Sequence, residues 1–314
     1  MMMKKLIPAA ALLVVMGAAQ AQVAVYGLID ASYGKNETIG DTAATFHSGG
    51  DNSSSQGNST SKFGIKGTAD VGGGYKANFK LESGGITSDG AVNGALFNRA
   101  AWLGFSGAFG EVRLGRQDNV PFQTLVGFDF NGASNAASAQ MLSLATPWSL
   151  NGRQSRSLQY IAPAMGGLGV QAGYVPEDAA AGTKATYSLG ATYTAGKLTL
   201  GAASESARTA AGTSFSGFAA SYDFGVAKAE VGYANGGVGF TGYNVGVSAP
   251  VGGFTVGVTY AKNDDAVGAS ATEVYINREI FKNTYAYLDY ATLDKSNAAF
   301  FKGNTYALGV IYVF

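Results

Sequence analysis

The stretch that decides the fold is the last one, GNTYALGVIYVF, residues 303–314. Counted back from the terminal aromatic residue, every second side chain is large and apolar, whereas those between them are small or medium. The large set is Tyr306, Leu308, Val310, Tyr312 and Phe314. A period of two is typical of a β-strand, because successive side chains leave opposite faces of a pleated backbone. Taken alone, this strand suits either the core of a soluble sandwich or a wall that faces lipid.

The composition favours an all-β protein. The 314 residues include 46 Gly, 17 Tyr and 18 Phe, but only 6 Pro, 1 His and no Cys. Basic and acidic residues number 21 each, so the net charge does not point to nucleic acid. After the first twenty residues, no long segment has the apolar period of an amphipathic helix. No apolar run there approaches the ~20 residues of a membrane helix.

The first 21 residues, MMMKKLIPAAALLVVMGAAQA, form a separate unit. Lys4 and Lys5 precede an apolar run, which ends before the small-x-small sequence Ala19-Gln20-Ala21. This pattern predicts a signal peptide over 1–21, with a retained membrane anchor as the alternative. The mature chain would then be a single barrel domain over residues 22–314. Without Cys, an exported chain needs a large hydrogen-bonded framework for its stability.

Sixteen segments of about ten residues look like strands. They lie near 23–33, 61–71, 73–84, 97–107, 109–117, 155–163, 167–175, 184–195, 196–205, 213–224, 225–235, 238–249, 252–262, 270–281, 283–293 and 303–314. Short connections such as VGGG and GAFG alternate with longer polar ones, above all 34–60 and 118–154. Alternating tight and long hairpins are typical of a transmembrane barrel. In hydrocarbon, only helices or a closed sheet pair every backbone polar group. The sequence therefore predicts an all-β, transmembrane, antiparallel β-barrel of 16 strands, closed by the first and last strands.

Four stretches carry a family resemblance. They are VAVYGLIDASYG, SKFGIKGTADVGGGYKANFKLESGG, FNRAAWLGFSGAFGEVRLGRQ and YALGVIYVF. In this order they span the mature chain and resemble the general diffusion porins of β-proteobacteria. The resemblance implies a homotrimer in the outer membrane of a Gram-negative bacterium, in contact with lipid and lipopolysaccharide, with a water-filled channel for passive transport of small ions and hydrophilic solutes. Phe314 also looks like the signal that the barrel-assembly machinery recognises.

The resemblance further implies that a long third loop folds into the lumen and narrows it. That loop would span about 118–152, and Asp118 and Asp129 are its only acids. In porins of this kind, a row of bases on the wall faces acids on the loop. Lys62 stands where the family usually has Arg before FGxKG, and Arg99 matches the Arg of FNR.

A third base would open the strand after the loop, at Arg153 or Arg156. Periodicity favours Arg153, because it shares a polar phase with Ser155, Ser157 and Gln159. Alternation alone would aim Arg99 outward, with Leu103, so Arg99 rests on the family match. Glu82 and Asp129 are the predicted acidic counterparts.

Two departures from the family pattern concern these strands. Lys62 keeps the charge of the usual Arg but loses its planar, rigid fork. GTADVG replaces the common GTEDLG, so that an acid is missing at Ala69, a change for which we have no physical account. Inward bases outnumber inward acids on the early strands, and rings of fixed charge set ion preference, so we expect modest anion preference. The bases are Lys62, Lys66, Lys76, Lys80, Arg113 and Arg153.

Three other functions are alternatives to a general pore. A channel specific for a sugar or a dicarboxylate would use aromatic tracks, for which Tyr275, Tyr285 and Tyr287 are candidates. A protease or phospholipase needs a positioned general base, but the sole histidine, His47, lies in a polar loop. A purely adhesive or structural barrel would not need a long third loop. The sequence predicts no enzyme activity, no cofactor and no metal site.

Overall fold

The computed structural model describes residues 22–132, 134, 152–210, 212–236, 240–264, 268–296 and 300–314. The predicted signal peptide, 1–21, lies outside these residues. Most of the second half of the predicted constriction loop, 133 and 135–151, also lies outside them.

Seventeen strands within the described residues form one antiparallel sheet. They are β1 (Gln22–Asn36), β2 (Thr45–Ser48), β3 (Lys62–Gly72), β4 (Tyr75–Gly84), β5 (Ala100–Gly107), β6 (Gly110–Asp118), β7 (Arg153–Ile161), β8 (Leu168–Val175), β9 (Thr186–Ala195), β10 (Leu198–Glu205), β11 (Phe215–Asp223), β12 (Lys228–Gly236), β13 (Phe240–Val251), β14 (Phe254–Asn263), β15 (Ser270–Phe281), β16 (Thr284–Leu293) and β17 (Gly303–Val313). Sixteen of them correspond to the predicted segments and form the barrel wall. The extra strand, β2, is a four-residue piece of the first loop.

The sheet closes where β1 pairs with β17, from Leu28 opposite Val313 to Asn36 opposite Thr305. On its other side, β1 pairs with β3 along its first half and with β2 farther on. Among the described strands, closure leaves no open sheet edge, which is what a hydrocarbon environment requires. The predicted sixteen-stranded barrel is confirmed.

The two faces of the wall differ as the final strand predicts. Leu308 and Tyr312 are exposed on the outer face, whereas Thr305 and Ala307 are buried on the inner face. The same alternation holds on β9, where Tyr187 and Leu189 are exposed. Of the two interpretations left open by the last strand, the lipid-facing one is correct.

The loop between β6 and β7 enters the barrel as a short helix, Val120–Leu125, followed by a 3-10 turn, Val126–Phe128. The Asn119 side chain caps the helix by accepting a hydrogen bond from the Phe122 backbone N–H at 2.7 Å. Other single helical turns occur at Glu37–Ile39, Asp51–Ser54 and Ala179–Ala181. Among the described residues, no helix is long and apolar enough to cross a membrane.

Three inward-facing glycines of the wall provide the surface on which this helix lies. A Cβ added at Gly190 on β9 would come within 2.0 Å of the Thr124 Oγ1. Equivalent atoms at Gly201 on β10 and Gly217 on β11 would reach Leu125 at 3.3 and 2.9 Å. The side chains of the helix therefore fill space that wall side chains would otherwise occupy. The result is a buried cluster of Leu125, Phe128, Ala203, Phe215, Ala219 and Ala234.

Candidate pore constriction

Five of the seven predicted site residues meet on the wall formed by β3–β7. Together with Lys80 they form a group that we call the basic cluster: Lys62, Lys80, Glu82, Arg99, Asp118 and Arg153. Glu82 lies at its centre. The Glu82 Oε1 is 2.7 Å from the Arg99 Nε, and its Oε2 is 3.0 Å from the Lys80 Nζ. Tyr26 also donates to the Glu82 Oε2 at 2.7 Å. Lys80 and Glu82 share the inward phase of β4, and Tyr26 lies on the inward phase of β1, so these side chains meet on the inner face.

Arg99 points inward, although alternation along β5 predicts the opposite. The reason is that Arg99 precedes the first residue of that strand, Ala100, so the phase of β5 does not extend to it. Its aliphatic chain lies against Gly84, where an added Cβ would be 2.1 Å from the Arg99 Cδ. Because Gly84 has no side chain, the Arg99 side chain can lie across it, and the guanidinium reaches Glu82.

Arg153 opens β7 and faces Asp118, the last residue of β6, with the Arg153 Nε 3.2 Å from the Asp118 Oδ1. This ion pair lacks hydrogen-bond geometry at the Nε. Arg153 also lies within electrostatic range of Arg99 and Glu82. It therefore belongs to the basic cluster.

The periodicity that favoured Arg153 is interrupted, however, by a β-bulge. The register between β6 and β7 shifts between Gly115 and Gln117, and Arg156 has a φ of 55°. Gln154, rather than Ser155, is consequently buried in phase with Ser157. Arg153 joins the cluster because it lies at the end of the ladder, where the chain enters the loop.

Arg156 lies apart from the basic cluster. Its side chain is 69% exposed and forms an ion pair with Asp178 in the loop between β8 and β9. The hydrogen bond from Arg156 is the main reason why the pKa of Asp178 lies below its ordinary value. Arg156 therefore belongs to the rim rather than to the predicted constriction.

Asp129 is also placed differently from the prediction, because its neighbours are acids. It is buried, accepts a hydrogen bond from the Asn131 N–H at 2.9 Å, and lies within electrostatic range of Glu230 on β12 and Glu273 on β15. The described part of the loop thus runs toward the wall opposite the bases, where it covers other carboxylates.

These carboxylates hold the loop in place, and they were not identified from the sequence. The Asn131 Nδ2 donates to the Glu273 Oε1 at 2.6 Å and to the Asp289 Oδ1 at 3.3 Å. The Asn58 Nδ2 donates to the Asp289 Oδ2 at 2.7 Å. The signal that could have found them is an acid at an inward position on each of β12, β15 and β16, although β15 carries a second acid of the same phase, Glu279. We call Asp30, Asp129, Glu230, Glu273 and Asp289 the acidic cluster.

The two clusters differ in how much of their charge reaches the lumen. The side chains of Arg99, Arg153 and Lys80 are 17, 27 and 30% exposed. The five acidic residues are all less than 9% exposed. Water and solutes therefore meet the bases, whereas Asn58 of the first loop and Asn131 of the loop between β6 and β7 cover the acids.

Of the three candidate residues for an aromatic track, two are buried and one is exposed on the inner face. Tyr275 and Tyr287 are buried, and the Tyr287 hydroxyl donates to the Asp30 Oδ1 at 2.7 Å. Tyr285 shares the inward phase of β16 with Tyr287, lies opposite Ile311 of β17, and is exposed. His47 lies in β2, 3.9 Å from an Asp51 carboxylate oxygen. The described residues contain no group of three or more His, Cys, Asp or Glu arranged to hold a metal ion.

Comparison with known proteins gives a consistent result. The family model for Gram-negative porins matches residues 9–298. Outer membrane porin protein 32 of Delftia acidovorans is 32% identical over 95% of this chain and 91% of its own length. An anion-selective porin from Comamonas acidovorans has a TM-score of 0.75 at 26% identity, covering 94% of this chain and all of that one. The trimer form of OmpT from Vibrio cholerae shares the fold, with a TM-score of 0.65 at 17% identity, over 94% and 99% of the two chains.

These matches cover nearly the whole chain and agree with the closed barrel. They are to channel proteins rather than to enzymes, and they place the protein in the outer membrane. The chain belongs to the family of Gram-negative porins and forms a general diffusion channel.

Proposed function

We propose that this channel prefers anions and that the basic cluster sets the preference. The observation that carries the proposal is the unequal burial of the two clusters. The basic cluster contains four cations and two carboxylates, a net charge of +2, and it lines the lumen. The acidic cluster is buried. Fixed charge at a constriction selects ions by its sign, and it acts most strongly within about 8 Å at physiological ionic strength.

The reversal potential of planar bilayers under a KCl gradient tests this proposal. We expect chloride preference in the parent chain, a weaker preference in Arg153→Gln, and cation preference in a Lys62→Gln, Arg99→Gln, Arg153→Gln variant. In the triple variant Lys80 alone faces Glu82 and Asp118, so the net charge of the cluster becomes −1. Arg156→Gln is the matched control, because it removes an exposed arginine from the same strand outside the cluster.

Cation preference in the parent chain would overturn the proposal, as would an equal change in Arg156→Gln. Migration as a heat-modifiable folded barrel must be shown for each variant. If the triple variant fails to fold, the single variant Arg153→Gln still gives the intermediate value, because it loses only one charge.

A channel specific for a sugar or dicarboxylate remains the second interpretation from the sequence. Tyr275 and Tyr287 are buried, so that of the three candidate residues only Tyr285 is exposed on the inner face, and one exposed ring does not favour an open aromatic track. Saturable inhibition of ion conductance by a sugar would distinguish a specific pore from a general one.

We further propose that the chain forms a homotrimer and that its exposed apolar outer face contacts outer-membrane lipid and lipopolysaccharide. The trimer form of OmpT, which shares this fold, and the family resemblance support the homotrimer. We also propose cleavage of the signal peptide after Ala21, and recognition of Phe314 by the barrel-assembly machinery. Phe314 is exposed at the barrel seam, where the Gly27 N–H donates to its carbonyl oxygen at 2.9 Å.

A further inference from the structure

The inner wall has a second charged feature, deeper in the channel than the basic cluster. It is a cavity of about 440 Å³ lined mainly by inward-facing residues of β1 and β3–β6. Lys66 lines it four residues beyond Lys62 along β3, which at about 3.3 Å per residue is about 13 Å toward the short turns. Short turns mark the periplasmic end of such barrels. The cavity therefore opens between the constriction and the periplasm.

The charges of the cavity favour an anion. Lys66, Lys80 and Arg113 contribute three cations, and Glu111 is the carboxylate among the lining residues. Glu111 is 2.6 Å from the Arg113 Nη2, and Lys80 is held by Glu82 at the upper rim. Lys66 makes no ion pair with any residue that the structure describes, and its Nζ lies 5.0 Å from the centroid of the Tyr26 ring. An ammonium group is thus left for a solute.

The second feature of the cavity is an aromatic stack. The Arg113 guanidinium lies over the Trp102 ring, 4.5 Å from its centroid. The next inward position on β5 is Gly104, where an added Cβ would be 3.2 Å from the Trp102 Cζ3 and 3.3 Å from the Arg113 Cγ. The glycine therefore leaves room for the stack. Within the described structure, the buried Arg113 Nε has no hydrogen-bond partner, so one donor of the guanidinium is unused.

A charged group beside a flat cation–aromatic pair suits one class of solute better than others. A carboxylate pairs well with an ammonium or guanidinium group, and guanidinium planes stack on aromatic rings. A sugar would leave the cations unused, and a small inorganic anion would leave the stack unused. The volume falls within the roughly 300–1,000 Å³ of pockets that bind small molecules.

We propose that this cavity binds small aromatic carboxylates as they cross the channel. The carboxylate lies at Lys66, and the ring lies against the Arg113–Trp102 stack. This inference rests on the proposed anion preference only in that the constriction must admit the solute. Binding is weak and reversible, because a site within a pore must also release its solute.

Benzoate titration of the refolded mature chain in planar bilayers at constant KCl tests the site. We expect conductance to fall with benzoate in a saturable way. The half-saturating concentration should rise about tenfold in Lys66→Gln, because a charge-assisted contact is lost, and also in Trp102→Leu. Lys76→Gln is the matched control, since Lys76 is on the inward phase of β4 but does not line the cavity. Benzamide, the neutral counterpart, should not saturate.

A second measurement reports binding without conduction. The chain has two tryptophans, Trp102 and Trp148, so Trp148→Phe leaves Trp102 as the only indole emitter. Benzoate should change its fluorescence with the same half-saturating concentration, and Lys66→Gln should shift that concentration by the same factor.

The outcomes separate this inference from the proposed function. Normal KCl conductance with a linear, non-saturating response to benzoate would refute the site and leave the pore intact. Equal effects of benzoate and acetate would refute the aromatic part, and equal shifts in Lys66→Gln and Lys76→Gln would refute the location. If a folded chain does not conduct, the fluorescence titration still decides whether benzoate binds.

Discussion

Leu125 anchors the loop helix to the wall, and its removal should loosen the loop without opening the barrel. The residue is fully buried in the cluster with Phe128 and Phe215. Replacing a buried leucine with alanine costs about 2–5 kcal/mol, and the cost is larger where the surroundings cannot collapse. The wall beneath Leu125 is a closed hydrogen-bonded sheet, so we expect about 3–5 kcal/mol for Leu125→Ala. At about 1.4 kcal/mol per factor of ten, the ratio of seated to unseated loops falls by roughly two to three orders of magnitude.

The assay is single-channel recording, in which an unseated loop should increase the open-channel current noise and lower the voltage at which the channel closes. Leu114→Ala is the matched control, because Leu114 is exposed on the outer face of β6. The heat-modifiable migration of the folded barrel should be unchanged in both variants, since the hydrogen bonds that close the barrel are made by the backbone and neither substitution removes one.

A second substitution, Gly217→Ala, tests the same contact, because its effect on the current noise should reverse in the Leu125→Ala background. A Cβ at Gly217 would lie 2.9 Å from the Leu125 Cδ1, so Gly217→Ala alone overpacks the contact. In Leu125→Ala the same Cβ occupies space that the leucine has left, and the noise should decrease. The rescue should be partial, because this Cβ also lies 2.8 Å from the Phe215 Cζ. If the two substitutions add in the same direction, the packing argument is wrong.

Three further predictions concern other parts of the chain. Asn131→Ala removes the donor shared by Glu273 and Asp289, which should weaken loop attachment by about 1–3 kcal/mol and raise the current noise. Gly127→Ala is the control, because a Cβ at Gly127 meets nothing within 4 Å and should leave the noise unchanged. Mass spectrometry of protein from outer membranes should give an N-terminus at Gln22, and an intact Met1 would refute cleavage. Deleting Phe314 should reduce the folded barrel in cell membranes but not refolding in detergent, whereas Phe314→Tyr, which keeps the ring, should have little effect on either.

The sequence was sufficient for most of the wall but not for local departures from regular strands. A period of two is a property of each segment, so strands such as β4 and β17 could be identified one at a time. The four-residue strand β2 is too short for that signal. It forms because β3 covers only the first half of β1, as far as Leu28, which leaves the second half of β1 free to pair with another segment.

The site residues could likewise be predicted where they lie on regular strands, but not elsewhere. Lys62, Glu82 and Lys80 lie on regular strands, and their inward direction followed from alternation. Arg99 lies before its strand, and the bulge beside Arg156 changes the phase of β7, so counting residues failed at both places. The contacts of the acidic cluster could not be predicted, because Asp129 meets Glu230 and Glu273 only through the path of the loop, across more than one hundred residues of sequence.

The balance of 21 basic and 21 acidic residues conceals a local asymmetry that follows from the way the loop is held. Glu273 and Asp289 attach the loop by accepting hydrogen bonds from Asn131, and the same attachment covers them. An acid that holds the loop is therefore withdrawn from the solute path, whereas the bases on the opposite wall remain exposed. Loop attachment and ion preference are consequently coupled, since a loosened loop would uncover carboxylates. Leu125→Ala should then lower the anion preference as well as increase the noise, although it changes no charge. An unchanged reversal potential in a variant with increased noise would show that the buried acids do not contribute to selectivity.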